Sequence, residues 1–250
     1  MLSFQQSGDG FPVILLHGYM ESLKMWDQLV NSSNAFSWWA VDLPGHGETA
    51  LLNEEMEPSI DWYAHEVISF IQLKEIKEFH LVGHSMGGYI ALRIKEMIPD
   101  ACKKVILLNS HPWEDSQLKK TDRLRVADIA YKAKSLFVQQ AIPALFFQPD
   151  CFQEAIQLLT SEANNMSADA IAYAALAMRN RKDSTHVIDQ FAEDFLIIQG
   201  KFDPLIDCEQ VIEFSDVHKV KRAVLANSGH MAHIEEPDEI SHLIHVFFRK

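Results

Sequence analysis

Phe79-His80-Leu81-Val82-Gly83-His84-Ser85-Met86-Gly87-Gly88-Tyr89-Ile90-Ala91-Leu92-Arg93-Ile94 is the stretch that decides the fold of this chain. The apolar run Phe79 to Val82 enters a glycine-rich turn, and a helix-like segment leaves it, so the residues read as strand, sharp turn and helix around one serine. Such a turn, a nucleophile elbow, forces an awkward backbone conformation on the serine. It needs small residues two before and two after it, because a side chain there would collide with the adjoining strand and helix. The helix that begins after Ser85 also aims its free N–H groups and positive dipole end at developing negative charge. Gly-x-Ser-x-Gly is a short pattern, and its weight comes from standing between a buried-strand signal and a helix signal.

Outward from the elbow, short β-rich runs recur at Val13 to Leu16, Phe36 to Val41, Val105 to Leu108, Phe195 to Ile198 and Val220 to Leu225, with helical patterns between them. This alternation predicts a mostly parallel central sheet flanked by helices. Between Ser59 and Glu75, Trp62, Tyr63, Val67, Phe70 and Ile71 recur at three- and four-residue steps, and Pro58 sits near the start, where a missing N–H costs little. From His111 to Asp189 the pattern breaks. The segment is helix-like throughout and lacks a β-run, with Pro143 and Pro149 as punctuation. We read it as a helical cap, residues 111–189, inserted into a core domain of residues 1–110 and 190–250. An excursion of that length is too large for a simple loop.

With 250 residues, 48% of them hydrophobic, the chain can bury one sizeable α/β core. The formal net charge of −13 and the absence of a basic run argue against nucleic acid or an anionic membrane as partner. Cys102, Cys151 and Cys208 are odd in number and scattered, as expected of reduced thiols in a cytoplasm-like compartment. Met1 to Gly10 lacks the cationic start and apolar stretch of a secretory signal, and no apolar run approaches membrane-spanning length. No His or Cys pair has metal-ligand spacing, so neither a metal nor a cofactor is expected.

A seryl hydroxyl is a poor nucleophile at neutral pH and needs a general base, itself oriented by an acid. Asp203 follows the run Phe195 to Ile198 in a loop at the sheet edge where sites of open α/β folds assemble. His230, in Ser228-Gly229-His230, follows the last run at the same edge. The chain order Ser, Asp, His is the one this elbow type uses. Asp207 rivals Asp203 as the acid, but Asp203 comes sooner after Gly200. His233 rivals His230, but falls where the final helix starts and reads as a first-turn polar residue. An oxyanion hole is expected from the backbone N–H groups of Tyr19, after the tight turn at Gly18, and of Met86. His84 reads as turn scaffolding, His17 as a brace for the oxyanion loop, and His46 as part of a tight Pro- and Gly-marked loop. His111 and Trp113 are candidate substrate-pocket residues, with packing the competing reading. Phe146, Phe147 and Met178 stand open between an apolar substrate and core packing.

Through Leu15 to Tyr19, Val41 to Gly47, Gly83 to Gly88, Ile198 to Asp203 and Ser228 to His230, the chain resembles the α/β-hydrolase superfamily, in its serine-nucleophile branch with a helical cap. The resemblance implies an α/β-hydrolase fold with Ser85 as nucleophile, His230 as base, Asp203 as acid, and Tyr19 and Met86 as oxyanion donors. The short N-terminus implies that the first antiparallel strand or two of the usual eight are absent. Dehalogenases and epoxide hydrolases of the superfamily carry Asp where Ser85 stands, which disfavours their chemistries. The expected activity is cofactor-free hydrolysis of a carboxylic ester or thioester of a small acyl substrate through an acyl-enzyme. Carbon–carbon bond hydrolysis, a lyase reaction and a ligand-sensing receptor remain open as alternatives on the same scaffold.

Overall fold

The computed structural model describes residues 1–32, 35–51 and 57–249. Its strands are β1 (Phe4–Ser7), β2 (Phe11–Leu16), β3 (Phe36–Val41), β4 (Phe79–His84), β5 (Cys102–Leu108), β6 (Phe195–Gly200) and β7 (Lys221–Leu225). They form one sheet in the order β1-β3-β2-β4-β5-β6-β7, parallel except for the antiparallel edge strand β1. The six β-rich runs of the sequence are β2 to β7. The seventh strand, Phe-Gln-Gln-Ser, is a four-residue edge strand of alternating exposure whose polar composition gives no strand signal.

The inner parallel strands, β2 to β6, are buried on both faces along most of their length, which is why they read as continuous apolar runs, whereas the edge strand β7 is largely exposed. Ile14, Leu16, Leu81, Val105, Leu107 and Ile197 pack on one side, beneath α2 (Ile60–Leu73) and α3 (Met86–Met97). Their neighbours Val13, Leu15, Val82, Ile106, Leu108 and Ile198 pack on the other, beneath α1 (Asp27–Ser32) and the C-terminal helix (Pro237–Arg249). That last helix presents Ile240, Ile244, Phe247 and Phe248 as one stripe, each side chain contributing about 1.5–3 kcal/mol by leaving water.

Between β5 and β6 the chain is helical: α4 (Gln117–Lys132), α5 (Lys134–Ala141), α6 (Gln153–Asn165), α7 (Ala168–Asn180) and α8 (Thr185–Phe191), with short 3₁₀ turns at Pro143–Leu145, Pro149–Phe152 and Ala192–Asp194. Apolar residues of α4 to α7 form their own cluster around Val138, Ile156, Ala163 and Ile171, closed from below by Met20 and Met231. Tyr173, Ala174, Ala177 and Met178 of α7, and Val187 and Ile188 of α8, belong instead to the core layer of α2 and α3. No helix among the described residues is long and apolar enough to cross a membrane.

Candidate active site

The loops leaving β2, β4, β5, β6 and β7 at their C-terminal ends carry Tyr19, Ser85, Asn109, Asp203 and His230, so one sheet edge collects every candidate group. Ser85 stands between β4 and α3 with φ 50° and ψ −113°, a left-handed conformation that side chains avoid. Its N–H donates to Leu108 O at 3.0 Å, and its carbonyl accepts from Ser110 Oγ at 2.8 Å. The small residues of the elbow are explained by close approach: a Cβ on Gly83 would meet the Gly87 backbone, and one on Gly87 would lie 2.7 Å from His17 O. Met20 (φ 61°) and Asn109 (φ 45°) are also left-handed, so local strain gathers at this edge.

Ser85 Oγ lies 2.9 Å from His230 Nε2, and His230 Nδ1 lies 2.8 Å from Asp203 Oδ2. With the Nδ1–H directed at the carboxylate, Nε2 is left to accept the seryl proton. Burial alone would raise the Asp203 pKa. Its bonds from His230 and Asn109 Nδ2 (2.8 Å), with the Leu205 N–H (2.8 Å), hold it below the usual carboxylate value. Gln199 Nε2 adds a further bond at 3.1 Å. Asp207, the rival acid, instead caps the helix α9 (Cys208–His218) by accepting from Gln210 N at 2.9 Å. Among the described residues neither the Tyr19 N–H nor the Met86 N–H has a protein acceptor, and Met86 is the first residue of α3. The Tyr19 hydroxyl donates to Ile171 O at 3.1 Å, tying the loop after β2 to α7.

His17 braces that loop as expected. Its Nδ1–H donates to Gly18 O (2.8 Å) and its Nε2 accepts from Leu43 N (2.9 Å), while burial holds it neutral with a pKa of about 4. His46 is buried, with Nδ1 3.1 Å from Pro44 O and a pKa near 3 for the same reason. His233 departs from its reading as a polar first-turn residue. It lies in the four-residue helix α10 (Ala232–Glu235), buried edge-on beneath His84 at 4.8 Å. Neither of its nitrogens has a hydrogen-bond partner among the described residues, and burial lowers its pKa to about 3.

His84 does more than occupy the turn. Its Nδ1 lies 2.9 Å from Glu21 Oε2 and its Nε2 lies 2.9 Å from His230 O, so both nitrogens face acceptors and both carry protons. Burial opposes that cation, yet the carboxylate of Glu21 raises the His84 pKa. Glu21 is likewise buried, which alone would raise it, but His84 pulls it down to about 2. The same Oε2 accepts from Gly18 N at 2.5 Å. One buried ion pair therefore joins the loop after β2, the elbow and the backbone of His230. Glu21 and Asn109 carry no sequence signal beyond position, each lying just after a strand at the catalytic edge.

The helical segment reaches the site through the histidine loop. His230 N donates to Leu145 O at 2.8 Å, and Glu235 accepts from Phe147 N (2.8 Å) and Gly229 N (2.7 Å). Phe147 stacks on Phe202 at 3.8 Å, next to Asp203, whereas Phe146 is buried in the helical cluster. His111 stacks on Trp113 at 4.2 Å and meets the Tyr89 hydroxyl of α3 at 3.3 Å, and Trp113 continues onto Phe214 of α9.

A serine, imidazole and carboxylate in hydrogen-bonded line at the C-terminal edge of a mostly parallel sheet of this order are the arrangement of the α/β hydrolases. The family model for the alpha/beta hydrolase fold matches residues 12–237, and the chain belongs to that family. It is 27% identical over 251 residues to the (E)-2-((N-methylformamido)methylene)succinate hydrolase of Acinetobacter baylyi, covering 94% of this chain and 89% of that protein. It is 23% identical to the pimeloyl-[acyl-carrier protein] methyl ester esterase of Aeromonas hydrophila, covering 98% of each. Among solved structures, a thermophilic esterase of Thermogutta terrifontis superposes with a TM-score of 0.91 at 25% identity, covering 99% of this chain and 93% of that one.

Proposed function

We propose that this hydrolase cleaves a carboxylic ester or thioester of a small acyl substrate through Ser85, without a cofactor. The observation that carries the reading is the continuous hydrogen-bond chain from Ser85 Oγ through His230 to Asp203. The esterase relatives support the ester bond as its target. His230 Nε2 takes the seryl proton as Oγ attacks the carbonyl carbon, and the N–H groups of Tyr19 and Met86 stabilise the oxyanion. Collapse expels the alcohol or thiol, which takes the proton from His230. Water deprotonated by His230 then attacks the acyl-enzyme, and as the acid leaves, Ser85 Oγ takes that proton back from His230. Asp203 fixes the imidazole tautomer and stabilises its transient cation. Residues 111–189 act as the lid, and their apolar cluster rests on Met20 and Met231, the residues following Tyr19 and His230.

Steady-state assays on acyl esters and thioesters of graded length, with Ser85→Ala as blank, test the reading. Sustained turnover of at least one ester that vanishes in Ser85→Ala is expected. Turnover retained in that variant, or only stoichiometric release across the panel, overturns it.

A further inference from the structure

Against the acidic background of the chain, one buried corner beside the site is cationic. Asp115, almost fully buried, accepts from Arg181 at 2.9 Å through Oδ1 and from Arg123 Nε at 3.3 Å through Oδ2. The Arg181 guanidinium lies 4.0 Å over the Tyr89 ring and also donates to Met178 O and Trp113 O. Lys119 Nζ donates to Leu205 O at 2.7 Å and has no carboxylate partner among the described residues. The neighbouring Glu114 is exposed and paired with Lys120. Two guanidinium groups thus share one carboxylate, whose field the Lys119 ammonium also feels. The buried His111 beside them stays neutral, held well below its ordinary value by burial and by the fields of Arg181, Lys119 and Arg123.

This corner is tied to the candidate site through shared neighbours. Leu205, which receives Lys119, donates its own N–H to Asp203 Oδ1. Tyr89 is one helical turn beyond Ser85, and His111 follows Ser110, the donor to Ser85 O. The field of Arg123 reaches the Tyr19 phenol. Arg123 spends only Nε on Asp115. Its two terminal amino groups have no acceptor among the described residues, and its side chain is about one quarter exposed. A largely buried guanidinium with a free fork, near an ammonium that has no carboxylate partner among the described residues, is an arrangement suited to a carboxylate.

We propose that Lys119 and Arg123 bind a second, anionic group of the substrate, so that the preferred ester carries a carboxylate besides the scissile bond. The inference rests on the serine-esterase reading. The carboxylate belongs either to the acyl part or to the leaving group, and two substrate pairs separate these sources: monomethyl glutarate against methyl pentanoate, and acetoxyacetate against propyl acetate. In one pair the acid-bearing ester should be preferred about tenfold or more in kcat/KM at low salt, and the preference should shrink in 0.5 M NaCl. Arg123→Gln and Lys119→Gln should each lower the acid-to-neutral ratio several-fold, and Arg123→Lys should restore part of it. A residue that merely anchors the helical segment would lower both esters together and leave the ratio alone.

Binding is read without turnover by thermal shift. Glutarate should raise the melting temperature of the parent, glutaramide should not, and the Lys119→Gln/Arg123→Gln double variant should respond to neither. Ester turnover with a ratio near one in both pairs, or glutarate stabilising parent and double variant equally, overturns the anion site. A glutarate shift without any ester turnover supports the site and overturns the esterase reading instead.

Discussion

Replacing Glu21 by Gln keeps the shape of the residue and removes its charge, isolating the ion pair beneath the loop after β2. In the parent protein the carboxylate holds His84 at 2.9 Å and the Gly18 N–H at 2.5 Å, with both side chains at most 3% exposed. If His84 stays protonated in the variant, a buried cation has lost its counter-ion, a loss on the order of 3–5 kcal/mol. If it gives up a proton, either His230 O or the new side-chain amide loses its donor, which costs about 1–3 kcal/mol. We expect about 2–4 kcal/mol from urea denaturation at pH 6, or a fall in melting temperature of roughly 5–15 °C for a chain of this size. The sign with pH follows from the two shifts. Glu21, depressed to about 2, contributes above its unfolded value and loses the contribution as pH falls. His84, raised, contributes fully below its unfolded value and loses the contribution as pH rises through the folded one. The difference between parent and Glu21→Gln should therefore be greatest near pH 5–6.5 and shrink in alkali. A difference below 0.5 kcal/mol at pH 6, or additive losses in the Glu21→Gln/His84→Asn double variant, would refute the pair.

Asp203→Asn should lower kcat by about four orders of magnitude through loss of the correct tautomer. Asp207→Asn should leave kcat near the parent value because Asn caps a helix as well as Asp, and steady-state kinetics on one ester compare the two. Asn109→Ala removes the 2.8 Å donor to Asp203 and should lower kcat about tenfold with little change in KM. His17, His46 and His233 are buried with pKa values of about 4, 3 and 3, so the unfolded chain binds three more protons between roughly pH 6 and 4. Stability should therefore fall as the pH is lowered through that window, by up to about 4 kcal/mol per pH unit, read from urea midpoints. A flat profile there would show that these imidazoles are protonated in the folded protein.

The strands buried on both faces were legible because burial on two sides leaves a continuous apolar run, and Ser85 was legible because the elbow tolerates so few residues at Gly83 and Gly87. Asp203 and His230 could be chosen because each follows a strand at the edge shared with Ser85. β1 was not legible, since an edge strand half in water needs no apolar run. The Glu21–His84 pair was not legible either. Its members are 63 residues apart and meet only when β2 and β4 lie side by side, a contact no local pattern encodes. His233 was misread because its place at a helix start says nothing of what packs above it.

Labelling with a fluorophosphonate, followed by peptide mass mapping, addresses the nucleophile directly, because only a serine polarised by an imidazole reacts readily with this electrophile. One equivalent should be found on the peptide carrying Ser85, with the rate reduced at least a hundredfold in His230→Ala. A label on any other residue, or an undiminished rate in His230→Ala, would contradict the Ser85–His230–Asp203 chain as the catalytic device.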